Sequence, residues 1–441
     1  MDQPHAERVR GGGDFGETTL TKPLIGFAGM THLGLNSAVA SAERGFDIVC
    51  FDQDVRRVDE LNDGRLPVVE PELPAMFARR RAQLTFTADA SDLEACDVIY
   101  VAPDVPTDDK GVSDLGPIRA LIRIVDAAMA PAAVLVVLSQ VPPGFTRSLS
   151  RPLETRYYQV ETLIFGRAIE RALQPERFIV GCADPAVPLP AALATYLAAF
   201  ECPVLPMRYE SAELCKISIN MVLVAQVSCA NTIAELCEKI GADYDEIVPA
   251  LRLDRRIGAY AYISPGMGIS GGNLERDLAT FKSFGDALGT STGVVRAWQH
   301  NSGYRRNWAL RTLHAMVLNR VAEPLIAVLG LAYKENTDSV KNSPAVALIE
   351  ALQPFPVQVF DPVVAPRGEW HPALTAGADP IAACAGADVA LIMTPWPDFR
   401  SIDVTRLAQA LRGNVVIDPY GMLDRRAAIA AGLEYHKLGV S

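Results

Sequence analysis

What the chain lacks sets the first bounds. Its 441 residues include eight cysteines and six histidines, yet no two cysteines form a C-x-x-C pair and no Cys/His group has zinc-site spacing. The thiols are therefore read as reduced, with no disulfide framework and no bound metal. Positive charge is short as well: 41 Lys and Arg against 52 Asp and Glu leave a formal net charge of −11. That balance argues against a nucleic-acid partner or an anionic membrane surface, both of which are held by a positive field. Residues 1–20 carry Gly11-Gly12-Gly13 but no apolar signal-peptide core, so they are read as a flexible leader and secretion is not expected. The apolar stretch 120–138 is broken by Arg123, Asp126 and Pro131, which makes a membrane span costly. The expected location is the cytoplasm. There is no short tandem repeat and, past the leader, no low-complexity tract.

What is present is an ordinary globular composition, 49% apolar and 21% charged, in a chain long enough for two or three cores. Short apolar runs at 24–28, 48–52, 98–102 and 134–139 alternate with helical patterns, and a second series follows at 325–329, 357–360, 389–393 and 415–417. This is the rhythm of βαβ units and parallel sheets, so two α/β domains are expected. Between them, 211–239 has neither Pro nor Gly and 294–321 has only Gly303, which predicts two long helices forming a spine.

The first strand runs into Gly29-Met30-Thr31-His32-Leu33-Gly34 and then a helix. Gly29 and Gly34 permit a tight turn and close helix–strand packing, which would set a pyrophosphate against the free N–H groups of a helix N-terminus. Thr31 replaces the middle glycine, and His32 is read as a turn residue rather than a base. Asp52 closes the second strand at the distance suited to an adenosine ribose diol, which favours NAD over NADP. A literal G-x-G-x-x-G at 266–271 follows Ser264-Pro265 instead of a strand, and is read as a loop whose Gly268 brings backbone close to a ligand.

Several blocks in order resemble the UDP-glucose/GDP-mannose dehydrogenase family from Leu24 onward. They are Leu61-Asn62-Asp63-Gly64 with Glu70-Pro71; Pro106-Thr107-Asp108; Glu161 with Gly166 and Pro175-Glu176-Arg177; and Glu213-Leu214-Cys215-Lys216 with Asn220. Further along, Arg256-Ile257-Gly258, residues 265–277, and 330–338 with Ser343-Pro344 continue the match. The resemblance implies two Rossmann-like parallel-sheet domains joined by a central all-helical domain with a long spine helix. Its boundaries would be 21–205 for NAD binding, 206–300 for dimerisation and 301–441 for the sugar nucleotide. Members of that family oxidise the C6 alcohol of the sugar to a carboxylate in two NAD-linked steps, through a cysteine thiohemiacetal and a thioester.

Read residue by residue, Lys216 and Asn220 lie four apart on one helical face, with Asn231 near the same line. An ammonium and an amide can hold a water or stabilise a developing alkoxide. The resemblance gives Asp277 the role of positioning or deprotonating water, places Glu161 at the active site, and puts Thr107 and Gln140 beside the cofactor. It assigns Arg256, Tyr262, Gly268 and Lys334 to the sugar nucleotide. Asn273 stands at the position of the family cysteine, and an amide cannot form a thioester. Gln140, Phe165 and Tyr420 replace a threonine, a glutamate and an arginine.

The leading expectation is a two-electron, NAD-linked oxidation of a nucleotide-activated sugar, a UDP-sugar first, within polysaccharide biosynthesis, by a homodimer. Three alternatives stand beside it: a four-electron oxidation through the aldehyde hydrate, an NAD-using epimerase, and a non-catalytic sugar-nucleotide-binding paralogue.

Overall fold

A computed structural model describes residues 22–106, 108, 113–269 and 273–441, without the side chain of Asn273. Strands covered on both faces have no wet side and so read as continuous apolar runs. β1 (Ile25–Ala28) and β2 (Ile48–Phe51) are of this kind, buried at every position. They are followed by β3 (Leu84–Thr87), β4 (Val98–Val101), β5 (Val134–Val137), β6 (Arg156–Gln159), β7 (Phe178–Cys182) and β8 (Val204–Arg208). The sheet runs β3-β2-β1-β4-β5-β6-β7-β8. Pairing is parallel from β3 to β6 and antiparallel between β6 and β7. β1 is central: Phe27 lies opposite Cys50 on one side and Tyr100 on the other.

The second sheet contains β9 (Ile326–Leu329), β10 (Val357–Phe360), β11 (Leu374–Ala376), β12 (Val389–Ile392), β13 (Val415–Ile417) and β14 (Glu434–His436), in the order β11-β10-β9-β12-β13-β14. Every pair in it is parallel. Counted from its own first strand, the second sheet and the first six strands of the first read 3-2-1-4-5-6, the order of the dinucleotide-binding fold, in which ligands collect at the carboxyl ends of the strands.

Between the sheets stands the spine helix Tyr209–Ile240, 32 residues long, or about 48 Å at the helical rise. It stops at Gly241, whose φ of +76° is the left-handed C-cap that a side chain resists. By length and composition it is the one helix among the described residues that could cross a membrane. Here Ile217, Met221 and Val224 pack with Ile269, Leu278 and Val295 in the middle of the chain.

The first domain was placed to end at 205, which falls inside β8, and the third to begin at 301, which falls inside the Gly293–Arg306 helix. The core of the second sheet takes in Trp308 as its first residue past that helix. The long helix predicted over 294–321 is broken: it ends at Arg306, Asn307 caps it, and a separate helix runs Trp308–Leu313. Each piece packs on a different body, and the break lets the chain pass from one to the other.

Candidate active site

At the end of β1, the Gly29 N–H donates to the Phe51 carbonyl at 2.8 Å. Gly29 has φ +96°, and a Cβ there would lie 2.8 Å from the Pro103 nitrogen; at Gly34 it would lie 1.9 Å from the Gly29 oxygen. Only glycine fits either position. Thr31 is extended, at φ −86° and ψ −167°, so its backbone does not require glycine, and it leaves the first helix, His32–Glu43, without a side-chain cap. Asp52 accepts from the Met30 N–H at 2.7 Å and the Asp54 N–H at 3.0 Å, and pairs with Arg57 at 2.9 Å. A glycine cradle, a helix N-terminus without a side-chain cap and an acid closing β2 fit a dinucleotide, whose diphosphate would meet the helix and whose ribose would meet Asp52.

The Leu33 side chain is buried in the core beneath the turn, so only its backbone is available to a cofactor. The His32 ring is held from two sides: Nε2 lies 2.7 Å from Glu70 Oε1, and the ring packs on Phe165 with centroids 4.1 Å apart. Burial would raise the Glu70 carboxyl, but hydrogen bonds from His32, Gly166 and Ala168 outweigh it and hold the pKa below the usual value. Thr107 lies outside the described residues.

Glu213, Lys216, Asn220 and Asn231 share one face of the spine helix, as their spacing requires, and each reaches a different segment. Glu213 accepts the N–H groups of Gly144 at 2.6 Å and Thr146 at 2.8 Å. Lys216 Nζ lies 3.1 Å from Glu161 Oε2. Asn220 donates to one oxygen of Asp277, and Asn231 accepts the Gly266 N–H at 2.8 Å. The helix thus ties the loops after β5 and β6 to the Asn273–Leu288 helix and the 266–269 loop.

Asp277, 1% exposed, takes a second amide proton from Gln140, whose own oxygen accepts from Arg276. Burial raises the Asp277 pKa, and Arg276, Asn220, Lys216 and Gln140 counter it only in part. The side-chain bonds of Gln140, expected beside the cofactor, fall in the Asp277 cluster, because the chain leaving β5 meets the Asn273–Leu288 helix there. Asn273 opens that helix; its side chain lies outside the described residues. Arg276 and the loop-holding role of Glu213 went unread in the sequence, where an Arg-Asp pair in a first helical turn looks like solvated charge.

From the second sheet, Lys334 Nζ donates to the Phe165 carbonyl at 3.0 Å, and burial lowers its pKa. Gly166 allows this approach: a Cβ on it would come within 2.8 Å of Asn336 Cβ. The remaining residues expected at the substrate are dispersed. Arg256 is exposed and pairs with Asp254 at 2.7 Å. Tyr262 has an exposed ring, and its N–H donates to Gln226 at 2.8 Å. Gly268, at φ +77°, brings its loop onto Ser302 of the Gly293–Arg306 helix; a Cβ there would meet the Ser302 oxygen at 2.4 Å.

Two sheets in dinucleotide-fold order, a glycine turn with its acid, and a lysine/amide/carboxylate cluster define an NAD-linked oxidoreductase. The chain matches the UDP-glucose/GDP-mannose dehydrogenase family in its NAD binding domain over residues 24–194, its central domain over 210–302 and its UDP binding domain over 327–425. It is 29% identical over 435 residues to the UDP-glucose 6-dehydrogenase TuaD of Bacillus subtilis, covering 94% of this chain and 93% of that protein. It is 27% identical over 437 residues to the UDP-glucose 6-dehydrogenase of Pseudomonas aeruginosa, covering 93% and 96%. Among solved structures, a UDP-glucose dehydrogenase from Pyrobaculum islandicum superposes with TM-score 0.82 at 27% identity, over 95% of this chain and 98% of that one. The chain belongs to the UDP-glucose/GDP-mannose dehydrogenase family and is an NAD-dependent nucleotide-sugar dehydrogenase.

Proposed function

We propose that the protein oxidises the C6 alcohol of a UDP-sugar by two electrons and releases the aldehyde, with no sulfur intermediate. The observation that carries this reading is the Asp277 cluster. Both carboxylate oxygens hold amide protons, from Gln140 and Asn220, beside a position where the chain has Asn273 and no thiol. Lys216, held by Glu161, and Asn220 polarise the alcohol oxygen through a water, which stabilises the developing alkoxide. The hydroxyl proton passes through that water to Asp277, whose raised pKa suits a base. When bound, NAD supplies the hydride acceptor. Gln140 and Arg276 fix the carboxylate, and Lys334 meets the substrate diphosphate from the second sheet. Relatives named UDP-glucose 6-dehydrogenases support the choice of a UDP-sugar and of C6. The test is NADH counted per sugar across UDP-, GDP- and CDP-sugars: one supports the proposal, two replaces it with hydrate oxidation, and none on any sugar removes it.

The working unit of this reading is a cytoplasmic homodimer. Leu214, Val222, Leu236 and Ile240 are exposed on the spine helix and fall within an arc of about 80° at 3.6 residues per turn. An apolar stripe on one long helix is self-complementary about a two-fold axis, so a second copy covers it. A dimer in light scattering at micromolar concentration, converted to monomer by Val222→Glu, supports this; a monomeric wild-type protein refutes it.

A further inference from the structure

The first helix offers its leading N–H groups as an anion seat, and one of them is already taken. The His32 N–H donates to Asp104 Oδ2 at 3.0 Å, and the Asp104 N–H donates to Thr31 Oγ1 at 2.8 Å. These two bonds clasp the turn after β1 to the chain leaving β4. Each residue is foreign to a diphosphate seat in its own way. Thr31 occupies the middle position of the glycine motif although its extended backbone has no need of glycine, and it is the Thr31 hydroxyl that holds the Asp104 backbone. Asp104 places a negative charge on a donor that, in a glycine-turn site, serves a phosphate.

We propose that Thr31 and Asp104 form an anionic latch over the cofactor's diphosphate seat. In the cofactor-free enzyme the Asp104 carboxylate stands in for phosphate at the helix N-terminus, where a negative charge is favourable. It must leave the His32 N–H before a dinucleotide can bind, since two anions cannot share one donor at hydrogen-bond distance. NAD affinity is thereby lowered by the fraction of time the latch is open. A latch open about one time in ten weakens binding tenfold, about 1.4 kcal/mol. The latch rests on NAD occupying the glycine turn, and it acts on any ligand that brings a diphosphate there.

The test titrates full-length wild type, Asp104→Asn and Asp104→Ala with NAD, ADP-ribose and adenosine, by calorimetry. Asparagine keeps an acceptor for the His32 N–H and removes the charge; alanine removes both. We expect NAD and ADP-ribose to bind about tenfold tighter to Asp104→Asn and at least as much tighter to Asp104→Ala. Adenosine, which has no phosphate, binds all three proteins alike. The cofactor-free Asp104→Ala protein melts below wild type because the helix end has lost its acceptor. NAD affinity unchanged or weaker in both variants overturns the latch, as does an equal gain for adenosine, which would put Asp104 beside the nucleoside instead. If none of the three proteins binds NAD, the cofactor reading of the turn fails first and the latch falls with it.

Discussion

The two sheets begin alike and end in different chemistry. Gly29 and Gly330 have φ of +96° and +92°. The Gly29 N–H reaches the Phe51 carbonyl at 2.8 Å, and the Gly330 N–H reaches that of Phe360 at 2.7 Å. An aspartate follows each phenylalanine, Asp52 in the first half and Asp361 in the second. In the first half a helix starts three residues past the glycine with no cap from Thr31, its first N–H donating to exposed Asp104 at 3.0 Å. In the second, Asp361 Oδ2 takes the N–H groups of Leu331 at 2.6 Å and Ala332 at 3.1 Å as well as the Trp396 indole at 3.0 Å. The chain then runs through the loop bearing Lys334, and its helix, Pro344–Ala351, starts only after Ser343 has capped it. One fold therefore yields two seats. The first leaves donors at a helix end for a ligand, and the second spends them internally and presents a lysine.

The largest expected effect separates the lysines of the two regions. Lys216→Ala should lower kcat about 10²- to 10⁴-fold, the range for losing a group that acts in the transition state, with NAD affinity unchanged. Lys334→Ala should instead raise KM for the sugar nucleotide, about tenfold or more for a charge-assisted contact. Stopped-flow turnover and NAD titration read both; a kcat effect at Lys334 as large as that at Lys216 would erase the distinction. Next come the aspartates. Both Asp52→Ala and Asp361→Ala should cost stability, roughly 2–4 kcal/mol, because each strands backbone donors: Met30 and Asp54 in the first half, Leu331, Ala332 and the Trp396 indole in the second. Only Asp52→Ala should also weaken NAD binding, at least about tenfold, through the ribose contacts. NAD titration of both variants decides it.

A pH series sharpens the contrast further. Burial depresses the Lys334 pKa below 10.5, and only the ammonium form attracts a diphosphate. Affinity for the sugar nucleotide is therefore full below that depressed pKa and lost as pH rises through it, earlier than for an ordinary lysine. Lys334→Arg, which stays charged, should flatten the alkaline limb of kcat/KM. A limb that survives in the arginine variant assigns it to another group.

Much of the first seat was legible in the sequence because its signals are local. The apolar runs at 24–28 and 48–52, the glycines of the turn and the acid after the second strand are short-range patterns, and β1, β2 and the first helix follow them. Lys216, Asn220 and Asp277 were found through the motif they share with a family, and they do converge. The second seat was opaque. The Phe-Asp that closes β10 repeats the one closing β2, but its partners, Leu331, Ala332 and Trp396, lie some thirty residues away on either side, and no periodicity reports such a bond. The same holds for Gln140, which was expected at the cofactor and meets Asp277 across 137 residues of sequence. β3, β6, β7, β8, β11 and β14 escaped; of these, β3, β6, β11 and β14 are short strands with polar positions that carry too little alternation to register.

The smallest expected effect tests the comparison where it is most exposed, at the two helix starts. Ser343 is 3% exposed, and its hydroxyl accepts the Ala345 N–H at 3.2 Å while donating to the Leu331 carbonyl at 2.7 Å. Ser343→Ala removes a working cap and should cost about 1 kcal/mol, the usual loss for such a change. Thr31 stands at the equivalent start but makes no cap bond; its hydroxyl accepts the exposed Asp104 N–H, so Thr31→Ala should cost about 0.5 kcal/mol, the low end for losing one hydrogen bond. Saturating NAD should add stability to both variants by the same mass-action increment that it gives wild type at equal occupancy. Equal losses for the two substitutions in denaturant unfolding would mean that the first helix is finished by its own side chains like the second, and that its N-terminus is not reserved for a ligand.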